Sequence, residues 1–234
     1  MSHKVVGVIG GMGPDATIAL MQRVIALTPA EDDSDHIHML VDNNPKVPSR
    51  LKALLGPQSD SAEKPGPVIA EMAMRLEAAG ADFIVMPCNT AHHYHHYAAR
   101  VTGIPVWHLI ELCAAAIKHK HPTFSKVGVL ASSATHEINL FEPQFETHGL
   151  SPVYPDRLVQ DVVMELIVAV KAGKVNEALI SNYNASVAEF AQQDIDCLLL
   201  GCSELSTFFS RHTQRVPLID SVEILAEAIV VAAG

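Results

Sequence analysis

Four cysteines occur in 234 residues, and two of them stand where chemistry is expected. Cys88 ends the run Ala81-Asp-Phe-Ile-Val-Met-Pro-Cys88, and Cys202 ends Ile195-Asp-Cys-Leu-Leu-Leu-Gly-Cys202. In both, an apolar strand-like run gives way to polar turn residues directly after the thiol. A free thiol titrates near pH 8.5, so it can take a proton as thiolate or give one as thiol at neutrality. Two such groups facing one carbon from opposite sides could remove its hydrogen on one face and return one on the other. Reversal would merely exchange their roles. The expected chemistry is inversion at a carbon bearing a weakly acidic proton, with fixed donors stabilising the carbanionic charge. Cys113 and Cys197 lie inside apolar runs and read as core. The odd spacing of Cys197 and Cys202 puts them on opposite faces of a strand, so no disulfide is expected.

Opposed thiols need a scaffold that brings two equivalent positions together, and the sequence repeats itself. Lys4-Val-Val-Gly-Val-Ile-Gly-Gly-Met-Gly-Pro14 opens the chain, and Lys126-Val-Gly-Val-Leu-Ala-Ser-Ser-Ala-Thr135 opens its second part. The two cysteine runs form a second pair. A third sets Ile104-Pro-Val-Trp-His-Leu-Ile-Glu-Leu-Cys-Ala-Ala-Ala-Ile117 against Val216-Pro-Leu-Ile-Asp-Ser-Val-Glu-Ile-Leu-Ala-Glu-Ala-Ile229. Three paired segments in one order imply two related α/β halves joined near residues 108–125. The expected architecture is two pseudo-symmetric open parallel-sheet domains with helices on both faces and the site in the cleft between them. Residues 1–108 plus 220–234 form the Cys88 side, and 109–219 the Cys202 side. In such sheets ligands bind beyond the carboxyl ends of the strands, where both thiols fall.

Periodicity predicts helices over 16–26, 68–79, 159–172 and 175–192, and a strand over 36–44. Gly80 and Gly173 stand where helix-ending glycines belong. The Gly-, Pro- and Ser-rich stretch 56–67 reads as a solvated connector, with a lid over the site as the alternative.

A formal charge of −10 speaks against nucleic acid or an anionic membrane as partner. It also requires that any anionic substrate meet a few specific cations. No apolar run reaches the ~18 residues of a membrane span, and Met1-Ser2-His3-Lys4 passes into a strand without the apolar core of a signal peptide. A cytoplasmic protein is expected, with its cysteines reduced.

Two other patterns compete. Gly11-x-Gly13-x-x-Ala16 follows a strand and precedes a helix, and Asp42 ends the next strand, as in a dinucleotide-binding fingerprint. A nicotinamide-dependent oxidoreductase is thus the main alternative, though it leaves the recurring cysteines unexplained. His92, His95 and His96 share one helical face at ligand-like spacing, but no companion Cys or Glu pattern completes a site, so no metal is expected.

Gly10-Gly-Met-Gly-Pro14, Pro87-Cys-Asn-Thr-Ala-His92 and Gly201-Cys-Ser-Glu204 resemble the signatures of the aspartate/glutamate racemase superfamily, in its aspartate racemase branch. The likeness spans essentially the whole chain. The glutamate racemase branch would carry His where Glu204 stands. The resemblance implies interconversion of L- and D-aspartate without PLP, metal or other cofactor, in a homodimer, with Cys88 and Cys202 as the acid/base pair. It places Asn89 and Thr90 on the substrate, and the Met12–Gly13 loop where its backbone N–H groups approach a carboxylate. It makes Arg50, in Asn44-Pro-Lys-Val-Pro-Ser-Arg50, and Lys171 the cations that grip carboxylates. Ser132 or Ser133 stands where the family commonly has Thr. His92, Ser203 and Glu204 support the thiols. Relatives acting on hydantoins, malonates or maleate keep a shifted substrate, and a related isomerase or decarboxylase activity, open as alternatives.

Overall fold

Both halves lay down the same strand order in a computed structural model that describes residues 3–56 and 64–234. The first runs β1 (Val6–Gly10), α1 (Pro14–Leu27), β2 (Met39–Asn43), α2 (Arg50–Leu55), α3 (Pro65–Ala78) and β3 (Phe83–Val85). A 3-10 segment (Asn89–Tyr94), α4 (His95–Ala99) and α5 (Leu109–Lys120) follow. The second half runs β4 (Lys126–Leu130), α6 (Ser133–Glu137), α7 (Glu142–Thr147), β5 (Ser151–Val153), α8 (Arg157–Lys171) and α9 (Glu177–Phe190). It ends with β6 (Cys197–Leu200), α10 (Ser203–Ser206), β7 (Leu218–Asp220) and α11 (Ser221–Ala233). The sheets are parallel, ordered β2-β1-β3 and β5-β4-β6-β7.

The correspondence holds to the residue. Leu198, four before Cys202, pairs with Leu218, and Ile84, four before Cys88, makes a parallel bridge to Val106. Ile84 N–H donates to Pro105 O at 2.8 Å, and Leu198 N–H to Pro217 O at 2.9 Å. The aspartates shared by the cysteine runs also do one job. Asp82 accepts from the Val5 N–H at 2.6 Å, and Asp196 from the Ser125 and Lys126 N–H groups at 2.7 and 2.8 Å. Each pins the start of the neighbouring strand.

The inner strands β1, β3 and β6 are apolar throughout because both faces are covered. Val6 and Val8 of β1 and Val127 and Val129 of β4 enter a shared core with Leu109, Ile110 and Cys113 of α5 and Val222, Leu225 and Ile229 of α11. Two further cores lie on the outer faces. Ile9 and Ile84 pack with Ile69 and Met72 of α3, and Leu130 and Leu198 with Val163 of α8 and Phe190 of α9. Cys113 and Cys197 are fully buried in the shared core, and all four cysteines are free.

Some boundaries differ from expectation. α1 and α3 start earlier because Pro14 and Pro65 occupy first-turn positions, where a missing N–H costs nothing. The predicted 36–44 strand shrinks to Met39–Asn43, since Asp32 caps a 3-10 turn over Asp33–Asp35 just before it. The helix expected over 175–192 begins at Glu177 with Asn176 as its cap. The fourth strand of the first sheet is reduced to the Val106 bridge. Of the predicted 56–67 loop, residues 57–63 lie outside the described residues, and 65–67 belong to α3. Among the described residues no helix is long and apolar enough to cross a membrane.

Candidate active site

Each thiol stands at the helical turn that follows its strand. Cys88 caps the 3-10 segment after β3, and Cys202 caps α10 after β6, both in extended backbone. Each keeps 8 % of its surface exposed. They line one cleft of about 170 Å³ with Met12, Arg50, Asn89, Thr90, Ser132, Lys171, Ser203 and Glu204. A cavity of ~150 Å³ admits a benzene-sized molecule, so the cleft is scaled to a small metabolite. Leu51 of α2 and Met164, Ile167 and Val168 of α8 give it an apolar wall, and Ser49 and Gly201 complete the lining.

The polar groups form a connected set. Cys202 Sγ–H donates to Glu204 Oε2 at 3.0 Å, and Lys171 Nζ stands 3.5 Å from Glu204 Oε1. Burial pushes the Cys202 thiol well above its ordinary range, and the Glu204 charge pushes it further, so Cys202 is protonated. Burial alone would lower Lys171. The Glu204 carboxylate outweighs that and holds its ammonium above the usual lysine range, although 52 % of the Lys171 side chain stays in solvent. Arg50 Nη1 is anchored by the carbonyls of Val47 and Pro48 at 3.1 and 3.0 Å, while its Nε is buried without a partner. Thr90 and Ser132 hydroxyls meet across the halves at 3.2 Å.

Ser132 is thus the serine that lines the cleft. Ser133 turns to Gln160, whose Nε2 lies 3.4 Å from its hydroxyl, and is not a lining residue. Gly13 lines an adjoining cavity of about 370 Å³ that shares Arg50, Lys171 and Glu204 with the cleft. A Cβ at Gly13 would stand 3.5 Å from Glu204 Oε1.

His92 braces rather than touches. Its Nε2 accepts from the Leu109 N–H at 3.0 Å, so the proton is on Nδ1, which donates to Cys88 O at 2.9 Å. Burial, reinforced by His108, lowers its pKa to about 3, so the ring is neutral and ties the Cys88 turn to the start of α5. In the other half Ser206 occupies the same offset from Cys202 and donates to Asp220 Oδ1 at 2.6 Å, the cap of α11.

These contacts also bear on the competing patterns. Both His92 nitrogens are committed, and His95 Nε2 is bonded to Val106 O at 2.8 Å. Gly11, at φ +85°, is needed because a Cβ there would lie 2.2 Å from the Asn44 backbone. That glycine admits the neighbouring strand end rather than a pyrophosphate. Asp42 is taken by Arg75 at 2.7 Å.

No motif marks the α8 wall, yet Met164, Ile167, Val168 and Lys171 recur at the spacing of one helical face, with the cation at its end. Ser221 also went unseen, since its counterpart in the repeat is Leu109.

Comparison with known proteins agrees with this architecture. The family described as Asp/Glu/hydantoin racemase matches residues 9–229. The broad specificity amino-acid racemase RacX of Bacillus subtilis is 27 % identical over 229 residues, 96 % of each chain. The structure of Picrophilus torridus aspartate racemase superposes with a TM-score of 0.83 at 33 % identity, covering 99 % of this chain and 94 % of that one. Glutamate racemase isoform RacE1 of Bacillus anthracis shares the fold, with a TM-score of 0.66 at 20 % identity over 99 % of this chain and 82 % of its own. A doubled parallel α/β fold with these likenesses defines an amino-acid racemase, an isomerase, and does not favour the nicotinamide oxidoreductase. The chain belongs to the Asp/Glu/hydantoin racemase family.

Proposed function

We propose that the protein interconverts the L- and D-forms of an acidic amino acid, aspartate foremost, by a two-base mechanism with Cys88 and Cys202. One observation carries this reading: two thiols from equivalent positions of the repeat line one small cleft. When Cys88 removes the α-proton as thiolate, Cys202, held as thiol, delivers one from the opposite side. In the other direction Cys202 must first give up its proton, and Glu204 is its acceptor at 3.0 Å. Arg50, whose Nε has no protein partner, takes a substrate carboxylate. Lys171, Thr90 and Ser132 supply further donors, and Met12 and Asn89 complete the contacts. Ser203 opens the turn that holds Cys202, and Gly13 brings the first loop against Glu204. The α-proton is far less acidic than a thiol, so catalysis rests on these fixed charges and on placement of the substrate between the thiols.

The 33 % identity to an aspartate racemase supports aspartate as substrate. A wider side-chain range is the second reading, favoured by the apolar α8 wall and the adjoining cavity. One methylene is worth only ~1–3 kcal/mol in such a pocket. The test is a chiral assay of purified protein across acidic and neutral amino acids, without added PLP or metal. Racemisation of aspartate above the others supports the reading, and no turnover of any acidic amino acid refutes it.

A further inference from the structure

Ser221, the first residue of α11, is fully buried and joins the two cysteine turns. Its hydroxyl donates to the carbonyl of Leu200, two residues before Cys202, at 2.8 Å, and accepts from Asn89 Nδ2, one residue after Cys88, at 3.0 Å. The two partners are 111 residues apart in sequence (200 − 89), so one side chain spans the halves.

The proton count makes this contact directional. A serine hydroxyl has one hydrogen, and the Leu200 carbonyl has none to give, so that hydrogen is spent on Leu200. What remains at Ser221 Oγ is a lone pair, which only the NH₂ end of the Asn89 amide can satisfy. Asparagine ends are ordinarily interchangeable in outline, but here the hydroxyl fixes which is which. Asn89 Oδ1 is left buried with no partner in the protein. The side chain lines the cleft beside Cys88. A buried acceptor without a partner, on a side chain that lines the cleft, calls for a donor; the donor an amino acid brings is its α-ammonium, since its carboxylates only accept.

We propose that Ser221 is a positioning residue that fixes the Asn89 amide with its carbonyl end free, so that Asn89 recognises the α-ammonium of the substrate. This rests on the cleft being the amino-acid site. The repeat cannot supply a second such contact, because Leu109 holds the equivalent place in the first half and offers only its backbone N–H, to His92. The ammonium is thereby read on one side of the cleft, which orients the α-carbon between the two thiols.

The experiment compares aspartate with succinate, a dicarboxylate of the same reach that lacks the ammonium. KM for aspartate and the inhibition constant for succinate are measured for the wild type, Ser221→Ala and the near-isosteric Ser221→Cys, with Tm recorded for each. Ser221→Cys keeps the packing with a much weaker hydrogen-bonding group, and carries the test if the alanine variant does not fold. The inference predicts a rise in aspartate KM of ~10-fold or more, the scale of a hydrogen bond to a charged group, with succinate inhibition changed less than twofold. Unchanged aspartate KM overturns it. Equal weakening of aspartate and succinate also overturns it, because a structural role would loosen both. Wild-type protein that racemises no acidic amino acid defeats the reading of the site itself, a result separate from either variant outcome.

Discussion

Glu204→Gln isolates the electrostatic core of the site. The substitution keeps the shape of the side chain and leaves an acceptor for the Cys202 thiol, but removes the negative charge 3.0 Å from its sulfur. At an effective dielectric near 20, two unit charges at that separation repel by ~5 kcal/mol. The carboxylate charge is divided between two oxygens, only one of them at 3.0 Å, and the amide oxygen that replaces it still opposes a thiolate. A net relief of ~1–2 kcal/mol for the Cys202 thiolate remains, about tenfold in its population below the titration range. Cys202 is nearly buried, so solvent screening takes little of this away. The assay is the rate of alkylation at Cys202 by iodoacetamide from pH 6 to 10, resolved by peptide mass, because only the thiolate reacts. The variant should alkylate about tenfold faster at pH 7–8, with its profile moved to lower pH. An unchanged or slower rate would show that Glu204 does not raise the thiol, and that the hydrogen bond carries no electrostatic role.

Arg50→Ala should raise substrate KM by ~10- to 100-fold while leaving kcat within a few-fold, since a charged hydrogen bond contributes ~1.5–3 kcal/mol. Arg50→Lys should restore only part of this, because a lysine cannot also keep the bonds to Val47 O and Pro48 O. Unchanged KM in Arg50→Ala would remove Arg50 from the carboxylate. Acid should destabilise the fold through His92, whose pKa falls from 6.5 unfolded to about 3 in the folded chain. Between those values the unfolded chain binds the extra proton, so stability is full above pH 6.5 and is lost as pH falls toward 3. The span at ~1.4 kcal/mol per pH unit sets a ceiling of ~5 kcal/mol, and His108, lowered to about 4, acts in the same direction. Urea midpoints at pH 7.5 and 5 should differ less for His92→Gln than for the wild type, and equal pH dependence would refute the assignment.

Much of this organisation was legible in the sequence because the repeat carries structural jobs as well as chemistry. The shared Asp82 and Asp196 pin strand starts, and Pro105 and Pro217 lend equivalent carbonyls to the strands that end at the thiols. What was not legible arises from contacts between elements far apart in the sequence. The choice of Ser132 over Ser133 depends on Gln160 of α8 drawing the second serine away. His92 reads as a group near a thiol by spacing, yet its ring turns to the Leu109 N–H. The bridge through Ser221 pairs residues that no local pattern relates, and its counterpart is an apolar leucine. Short strands were also hard to bound, since the third pair of repeat segments holds the strand Leu218–Asp220 in one half and a single bridge at Val106 in the other.

The central claim is that each thiol serves one face of the α-carbon. It is tested most directly by following α-hydrogen exchange of L- and D-aspartate in D₂O with Cys88→Ala and Cys202→Ala. Two-base catalysis predicts that both variants lose racemisation, and that any residual exchange is confined to one enantiomer in the first variant and to the other in the second. Racemisation retained in either variant, or exchange of both enantiomers by a single remaining thiol, would contradict it.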